Sequence, residues 1–235
     1  MTSVQPPLIA VVGCDGSGKS TVTSALRDWM AQERRTALCH LGKQTGNIGR
    51  RIAQLPFMGK RLDKTIHEKA QVAKTKGGPG ILTALVIYAF SMRRVRRFRR
   101  MLALRQQGYA IVADRFPQIA VPGPMDGMAL ADVELRNAVV RFLSRRERAQ
   151  YRWMTAHRPD LVIRLNVSLE TALARKPDHR PSSLARKVAD VPRLSFEGAP
   201  IVDIDAQRPL AEVLEEAKRA VRAVLEARDG AKLPR

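Results

Sequence analysis

A three-layer α/β/α fold, with helices on both faces of a parallel five-stranded sheet and a lid at one end, is what this sequence predicts. Three observations carry that prediction. Short apolar runs alternate with longer helical patterns from one end of the chain to the other, which is the order of a parallel sheet wrapped by its own crossovers. The first run, Leu8-Ile9-Ala10-Val11-Val12, leads directly into Gly13-Cys14-Asp15-Gly16-Ser17-Gly18-Lys19-Ser20, and a helical pattern follows. A later run, Tyr109-Ala110-Ile111-Val112-Ala113, ends in Asp114-Arg115 at the carboxyl edge, where open α/β sheets gather ligands.

Taken in order, a helix over about 20–33 places Val22, Leu26, Trp29 and Met30 on one face, and Arg34-Arg35 close it. Residues 36–41 read as the second strand, and Gly42-Lys43-Gln44-Thr45-Gly46-Asn47 as a loop at its carboxyl end. Residues 48–78 are basic and poor in strand signal; one or two short helices are expected before Gly77-Gly78-Pro79-Gly80 breaks the chain. A long helix over 81–107 ends at Gly108, its first half apolar all round and expected to be buried, its second half arginine-rich. A helix over 128–158 precedes the strand at 161–167, and Ser168 caps a short helix reaching Lys176. The segment from about 176 to 195 is polar, basic and broken by Pro177, Pro181 and Pro192, so it reads as a mobile loop or lid. Residues 201–205 form the last strand and 210–228 the last helix; 229–235 read as a frayed tail, leaving 1–228 as a single domain.

The glycine-rich stretch fits G-x-x-x-x-G-K-[ST], the phosphate loop of P-loop NTPases. Gly13, Gly16 and Gly18 let the backbone around Ser17 curl with its amides inward, and the helix opening at Lys19-Ser20-Thr21 adds the positive end of its dipole. Lys19 is placed to reach the β- and γ-phosphates of ATP, and the Ser20 hydroxyl to ligate Mg²⁺. Asp114 is placed like the acidic residue that orients Mg²⁺ or its water shell in this fold.

The 235 residues carry 42 Lys and Arg against 22 Asp and Glu, a formal charge of +20 that calls for an anionic partner. The excess is concentrated between Arg93 and Arg100, where Arg94, Arg96, Arg97 and Arg99 read as a solvated helix face. Two cysteines, Cys14 and Cys39, do not make a disulfide framework, and His40, His67, His157 and His179 lack ligand spacing. No charged-then-apolar leader and no apolar run near the roughly 18 residues of a bilayer span is seen. The expected location is the cytoplasm, with peripheral membrane contact through the arginine-rich segment as a variant of it.

These motifs together resemble the thymidylate kinase-like branch of nucleoside monophosphate kinases. The resemblance rests on Gly13-x-Asp15-Gly16-x-Gly18-Lys19-Ser20-Thr21, on Asp114-Arg115-Phe116, on Pro159-Asp160-Leu161 with Ala172-Leu173-Ala174-Arg175, and on Val202-Asp203-Ile204-Asp205 with Pro209-Leu210. It implies that Asp15 contacts the acceptor sugar, that Arg93 holds the acceptor phosphate, and that Arg115 lies near the transferred group. It further implies that Arg175 packs on adenine and that Lys176 and Arg180 are lid cations. ATP, Mg²⁺ and a small phosphorylated acceptor are then the expected ligands, and the resemblance is compatible with a homodimer. The chain departs from the family at Gly42-Lys43-Gln44-Thr45-Gly46, where R-E-P-G-G is usual, and after Phe116, where Pro117-Gln118-Ile119-Ala120 replaces a serine leading to A-Y-Q. Both departures strike the acceptor pocket. They leave open a glycan or lipid-linked acceptor worked on at a membrane surface. A nucleic-acid-binding NTPase is disfavoured by 5% aromatic residues and the absence of a stacking motif.

Overall fold

The computed structural model describes residues 5–42, 79–130 and 137–230. The expectations for 43–47 and 48–78 lie outside the described residues. Five parallel strands stand in the order β2-β3-β1-β4-β5: β1 (Leu8–Gly13), β2 (Thr36–His40), β3 (Ala110–Asp114), β4 (Leu161–Asn166) and β5 (Ile201–Asp205). The centre of the sheet is apolar on both faces: Leu8, Ile9, Ala10 and Val11 have no exposed surface, nor do Ile111, Val112 and Ala113 of the neighbouring strand. This is why those strands read as unbroken apolar runs rather than as alternating ones. The predicted three-layer architecture with a parallel five-stranded sheet is observed.

Helix α1 (Lys19–Ala31) follows β1 and buries Val22, Leu26 and Met30; Trp29 is half-buried under Arg222, whose guanidinium lies 5.5 Å from its ring centre. Helix α2 (Ile81–Gln106) ends as predicted at Gly108, whose φ is +89°. The Gly108 amide donates to the Arg105 carbonyl and the Tyr109 amide to the Leu104 carbonyl, the paired bonds of a Schellman stop. Helix α3 (Ala138–Thr155) packs parallel to α2, since Ser91 meets Glu147, Arg94 meets Tyr151, and Phe98 meets Trp153. Helices α4 (Leu169–Arg175), α5 (Pro181–Asp190) and α6 (Leu210–Gly230) complete the chain.

Four sequence expectations need correction. The apolar first half of α2 is not buried: Ile81, Leu82 and Leu85 are exposed. A helix of 26 residues is about 39 Å long, whereas a strand of five covers roughly 17 Å, so the opening turns overshoot the sheet. Helix α3 begins at Ala138, ten residues later than 128, behind the cap Asn137, which accepts from the Val139 and Val140 amides. Met128 and Leu130 are buried, but in a turn whose Ala129 and Leu130 amides donate to the Glu147 carboxylate. The segment 176–195 is not a loop throughout, because the ten residues of α5 occupy half of it, with Pro181 in the first turn, where the missing N–H does no harm. Arg94 is not solvated; it has no exposed surface at all.

Candidate functional site

At the carboxyl edge of β1 the phosphate loop turns into α1. Gly18, the residue before α1, is left-handed (φ 82°) and offers no side-chain cap, and the first turn of α1 holds no acid. The first amides of the helix are therefore free for an anion. Gly13 is required by close approach: a Cβ there would stand 2.5 Å from Ser17 Oγ and 2.7 Å from the Leu165 carbonyl oxygen.

The loop opens on a cavity of about 400 Å³ lined by Asp15, Gly16, Gly18, Lys19, Ser20 and Thr21 on one side and by Asp114, Arg115, Arg175, Lys176 and His179 on the other. Lys19 is 7% exposed and its ammonium donates to the Cys14 carbonyl inside the loop. Burial and the nearby Arg115 guanidinium push its pKa down to about 8. Ser17 is buried beneath the loop.

Across the cavity, β3 delivers Asp114 and Arg115. Asp114 Oδ2 lies 3.0 Å from His40 Nδ1 on the adjacent strand, while Oδ1 is buried without a partner. Arg115 has a left-handed backbone (φ 68°), as does Asp126 (φ 64°). Such conformations cost about 1–3 kcal/mol each for non-glycine residues and persist where the surroundings impose them. Arg115 Nη2 donates to Asp15 Oδ1 at 2.7 Å, and Nη1 lies 3.5 Å from Asp126 Oδ2. Burial alone would lower the Arg115 pKa, but Asp126, Asp15 and Asp114 together hold it above the ordinary arginine value.

The chain of charges runs further than Arg115. Arg94 on α2 donates to the Asp126 carboxylate, to the Asp126 carbonyl at 2.7 Å and to the Tyr151 hydroxyl at 3.0 Å. On the other flank Lys187 of α5 donates to Asp15, and His179 Nε2 stands 3.7 Å from it. Burial would raise the Asp15 carboxyl, but Lys187, Arg115 and Lys19 carry it well below the usual carboxylate range. Arg94, Asp126, Arg115, Asp15 and Lys187 thus alternate in sign from α2 across the phosphate loop to α5.

The structure brings Asp15, Lys19, Ser20, Asp114, Arg115 and Arg175 together, as the sequence implied. Arg175 spans the loop from outside, donating to the Gly16 carbonyl at 3.2 Å and the Ala206 carbonyl at 3.0 Å. Arg93 is not brought in: it lies on the exposed side of α2, and the arginine turned inward is its neighbour Arg94. Arg180 stands exposed before α5 and does not line the cavity; Lys187, two turns on, reaches the loop instead. Sequence reasoning missed Arg94, Asp126, His179 and Lys187. For Arg94 the signal was present, since it falls four residues before the core residue Phe98 on the buried stripe of α2.

No protein-family model matches the chain. It is 42% identical over 221 residues to the uncharacterized ATP-binding protein YghS of Escherichia coli K12, covering 93% of each. It is 40% identical over 223 residues to YghR of the same organism, also described as ATP-binding, covering 93% of this chain and 88% of YghR. A probable thymidylate kinase of Pyrobaculum aerophilum is 28% identical over 228 residues, covering 91% and 97%. Among solved structures, deoxyadenosine kinase from M. mycoides with bound dATP superposes with a TM-score of 0.50 at 13% identity, covering 91% of this chain and 98% of that one, a likeness of fold. Fold and phosphate loop agree on a P-loop kinase fold, the relatives above 30% identity are described as ATP-binding, and the likeness to thymidylate kinase rests on the more distant relative. The chain belongs to the family of ATP-binding proteins that includes YghS and YghR.

Proposed function

We propose that the protein transfers the γ-phosphoryl group of ATP to a phosphate oxygen of a small phosphorylated acceptor, with a nucleoside monophosphate such as dTMP as the first candidate. The observation that carries this reading is the state of the Asp15 carboxylate at the cavity. Asp15 is saturated by Arg115 and Lys187 and held ionised, so it is too weak a base to take a proton from a hydroxyl. A phosphate acceptor brings an oxygen that is already ionised and needs no base. Its oxygen forms the new bond to the γ-phosphorus as the bond to the β-bridging oxygen breaks, and ADP leaves with the electron pair.

Lys19 and Arg115, reaching the cavity from opposite sides, neutralise charge on the equatorial oxygens during that exchange, which is the main work a protein performs in phosphoryl transfer. Arg175 steadies the loop through the Gly16 carbonyl. Lys176 and His179 stand at the lid side of the cavity, where closure of α5 excludes water.

Asp114, whose buried Oδ1 has no partner, and Ser20 line one cavity, and among the described residues no cluster of three or more His, Cys, Asp or Glu forms a metal cage. That donor set fits Mg²⁺, which is held by one or two protein oxygens together with substrate phosphates. Bound there, Mg²⁺ would supply charge neutralisation for the transferring phosphoryl group.

A specific observation also supports a non-nucleotide phosphorylated acceptor. The chain after Phe116 folds around buried Gln118, which donates to the Val121 and Met125 carbonyls and accepts from the Val121 amide, so this wall is built differently from the A-Y-Q wall of the resembled family. A coupled ADP-release assay with Mg·ATP and a panel of nucleoside monophosphates tests the proposal. Turnover with at least one member, abolished in Lys19→Ala, is expected; absence of turnover with every nucleotide, alongside intact ATP binding, refutes the nucleotide reading.

A further inference from the structure

The outer surface that α2 and α3 share has no role in the phosphate site. The two helices run parallel, and Arg99 lies over the Trp153 ring at 5.6 Å. Helix α2 contains no acidic residue, and the one acid of α3, Glu147, is buried against Ser91 and the Leu130 amide. The exposed cations are all arginine: Arg93, Arg96, Arg99 and Arg100 on α2, and five more on α3 that include Arg145 and Arg146. Among them stand exposed apolar side chains: Leu82 at 71%, Leu85 at 46%, Phe142 at 58% and Trp153 at 37%. The apolar end, Leu82, Leu85 and Phe142, belongs to the opening turns of both helices. Because α2 ends where β3 begins, those turns lie toward the carboxyl edge of the sheet, the same end as the phosphate loop.

We infer that this face docks on an anionic phospholipid bilayer, with Leu82, Leu85, Phe142 and Trp153 entering the headgroup boundary and the arginines pairing with lipid phosphates. Three features select this occupant. Guanidinium forks match phosphate oxygens two at a time, and neither helix carries an exposed carboxylate. Leucine and phenylalanine side chains gain by entering acyl chains, whereas a nucleic-acid backbone offers them nothing comparable. A second copy of the same face would set arginine against arginine with no carboxylate between. No helix among the described residues is long and apolar enough to cross a membrane, so the attachment is peripheral.

The full chain tests this without ATP or acceptor, so a failure leaves the kinase reading untouched. A Trp29→Phe variant keeps Trp153 as its sole tryptophan and is floated with phosphatidylcholine vesicles with and without phosphatidylglycerol. Flotation with the anionic vesicles only, a blue shift of Trp153 emission on binding, and release at about 1 M salt, where the Debye length is about 3 Å, are expected. Leu82→Ser with Phe142→Ser, and separately Arg145→Glu with Arg146→Glu, should each weaken partitioning by about tenfold or more while leaving melting behaviour and ATP binding intact. No anionic-vesicle binding, or equal binding to neutral vesicles, overturns the inference. So does tighter binding to a single-stranded oligonucleotide that Phe142→Ser leaves unchanged, and so does a stable dimer by light scattering that Phe142→Ser dissolves.

Discussion

Replacing Asp126 by Asn probes the ladder of charges where it is driest. Arg94 is fully buried and Asp126 is 6% exposed, so no water can take over when the carboxylate loses its charge. The variant keeps shape, the Arg94 bond to the backbone carbonyl at 126 and an amide oxygen that can still accept from Arg94, but it removes the negative charge that compensates the buried guanidinium and takes one carboxylate from Arg115. Breaking a buried pair from one side costs about 3–5 kcal/mol, because the other charge stays behind uncompensated. For a chain of this length each kcal/mol moves Tm by about 2–4 °C, so a fall of roughly 6–20 °C is expected. Urea titration should show a lower midpoint at unchanged slope. Adding Arg94→Met should recover part of the loss, giving a coupling of about 0.5–3 kcal/mol in the double-mutant cycle. If Asp126→Asn cost less than about 1 kcal/mol, or if the two substitutions simply added, the buried ladder would not be the strut described here.

Lys19 carries a pH signature of the opposite kind. Its folded pKa of about 8 lies below the ordinary lysine value, so between about 8 and 10.5 the unfolded chain holds the extra proton and the apo protein gains stability as pH rises. Affinity for Mg·ATP needs the charged ammonium and should fall above about pH 8, by up to roughly tenfold per unit, while Lys19→Met binds weakly with no such slope; isothermal titration across that range reads both. Gly13→Ala drives a methyl group into Ser17 Oγ and the Leu165 carbonyl, and it should abolish ATP-induced thermal stabilisation even where the fold survives. Arg93→Ala and Arg180→Ala, both on exposed side chains that do not enter the cavity, should change stability by under about 0.5 kcal/mol and leave Mg·ATP affinity within about twofold of the parent.

What the sequence made legible was what a few consecutive residues decide. The phosphate loop closes within eight positions, the Gly108 stop and the Ser168 cap each involve one turn, and the central strands declare themselves as unbroken apolar runs. Errors arose where one residue type has two physical uses. Pro181 was read as a breaker and is a helix starter; Met128 and Leu130 fell within the helix expected over 128–158 and are buried in a turn that the side chain of Glu147 holds. Arginine was read by charge, as a surface residue, when the helical phase set by Ser91, Phe98 and Met101 already turned Arg94 inward and Arg93 out. Where charge and phase disagree on a helix, phase decides which way the side chain points, and the interior then has to supply the counter-charge, here Asp126.

That counter-charge is what no local pattern could announce. The links of the ladder join residues 32, 100 and 172 positions apart, and none of them completes a motif. Each link is nonetheless forced once the one before it exists. Arg94 is buried by the phase of α2 and draws Asp126 into a left-handed turn; Asp126 faces Arg115 at the end of β3; Arg115 reaches Asp15 because β3 lies directly beside β1; and Asp15, held ionised, takes Lys187 from α5. In the proposed reaction a substrate phosphate arriving at Arg115 competes with Asp15 for the same guanidinium. Loosening that pair removes one of the cations that keep Asp15 ionised and so alters its hold on Lys187. The turn at Asp126, the phosphate loop and α5 are then coupled through ion pairs, which is why substitution at Asp126, outside the cavity lining, should be felt at α5.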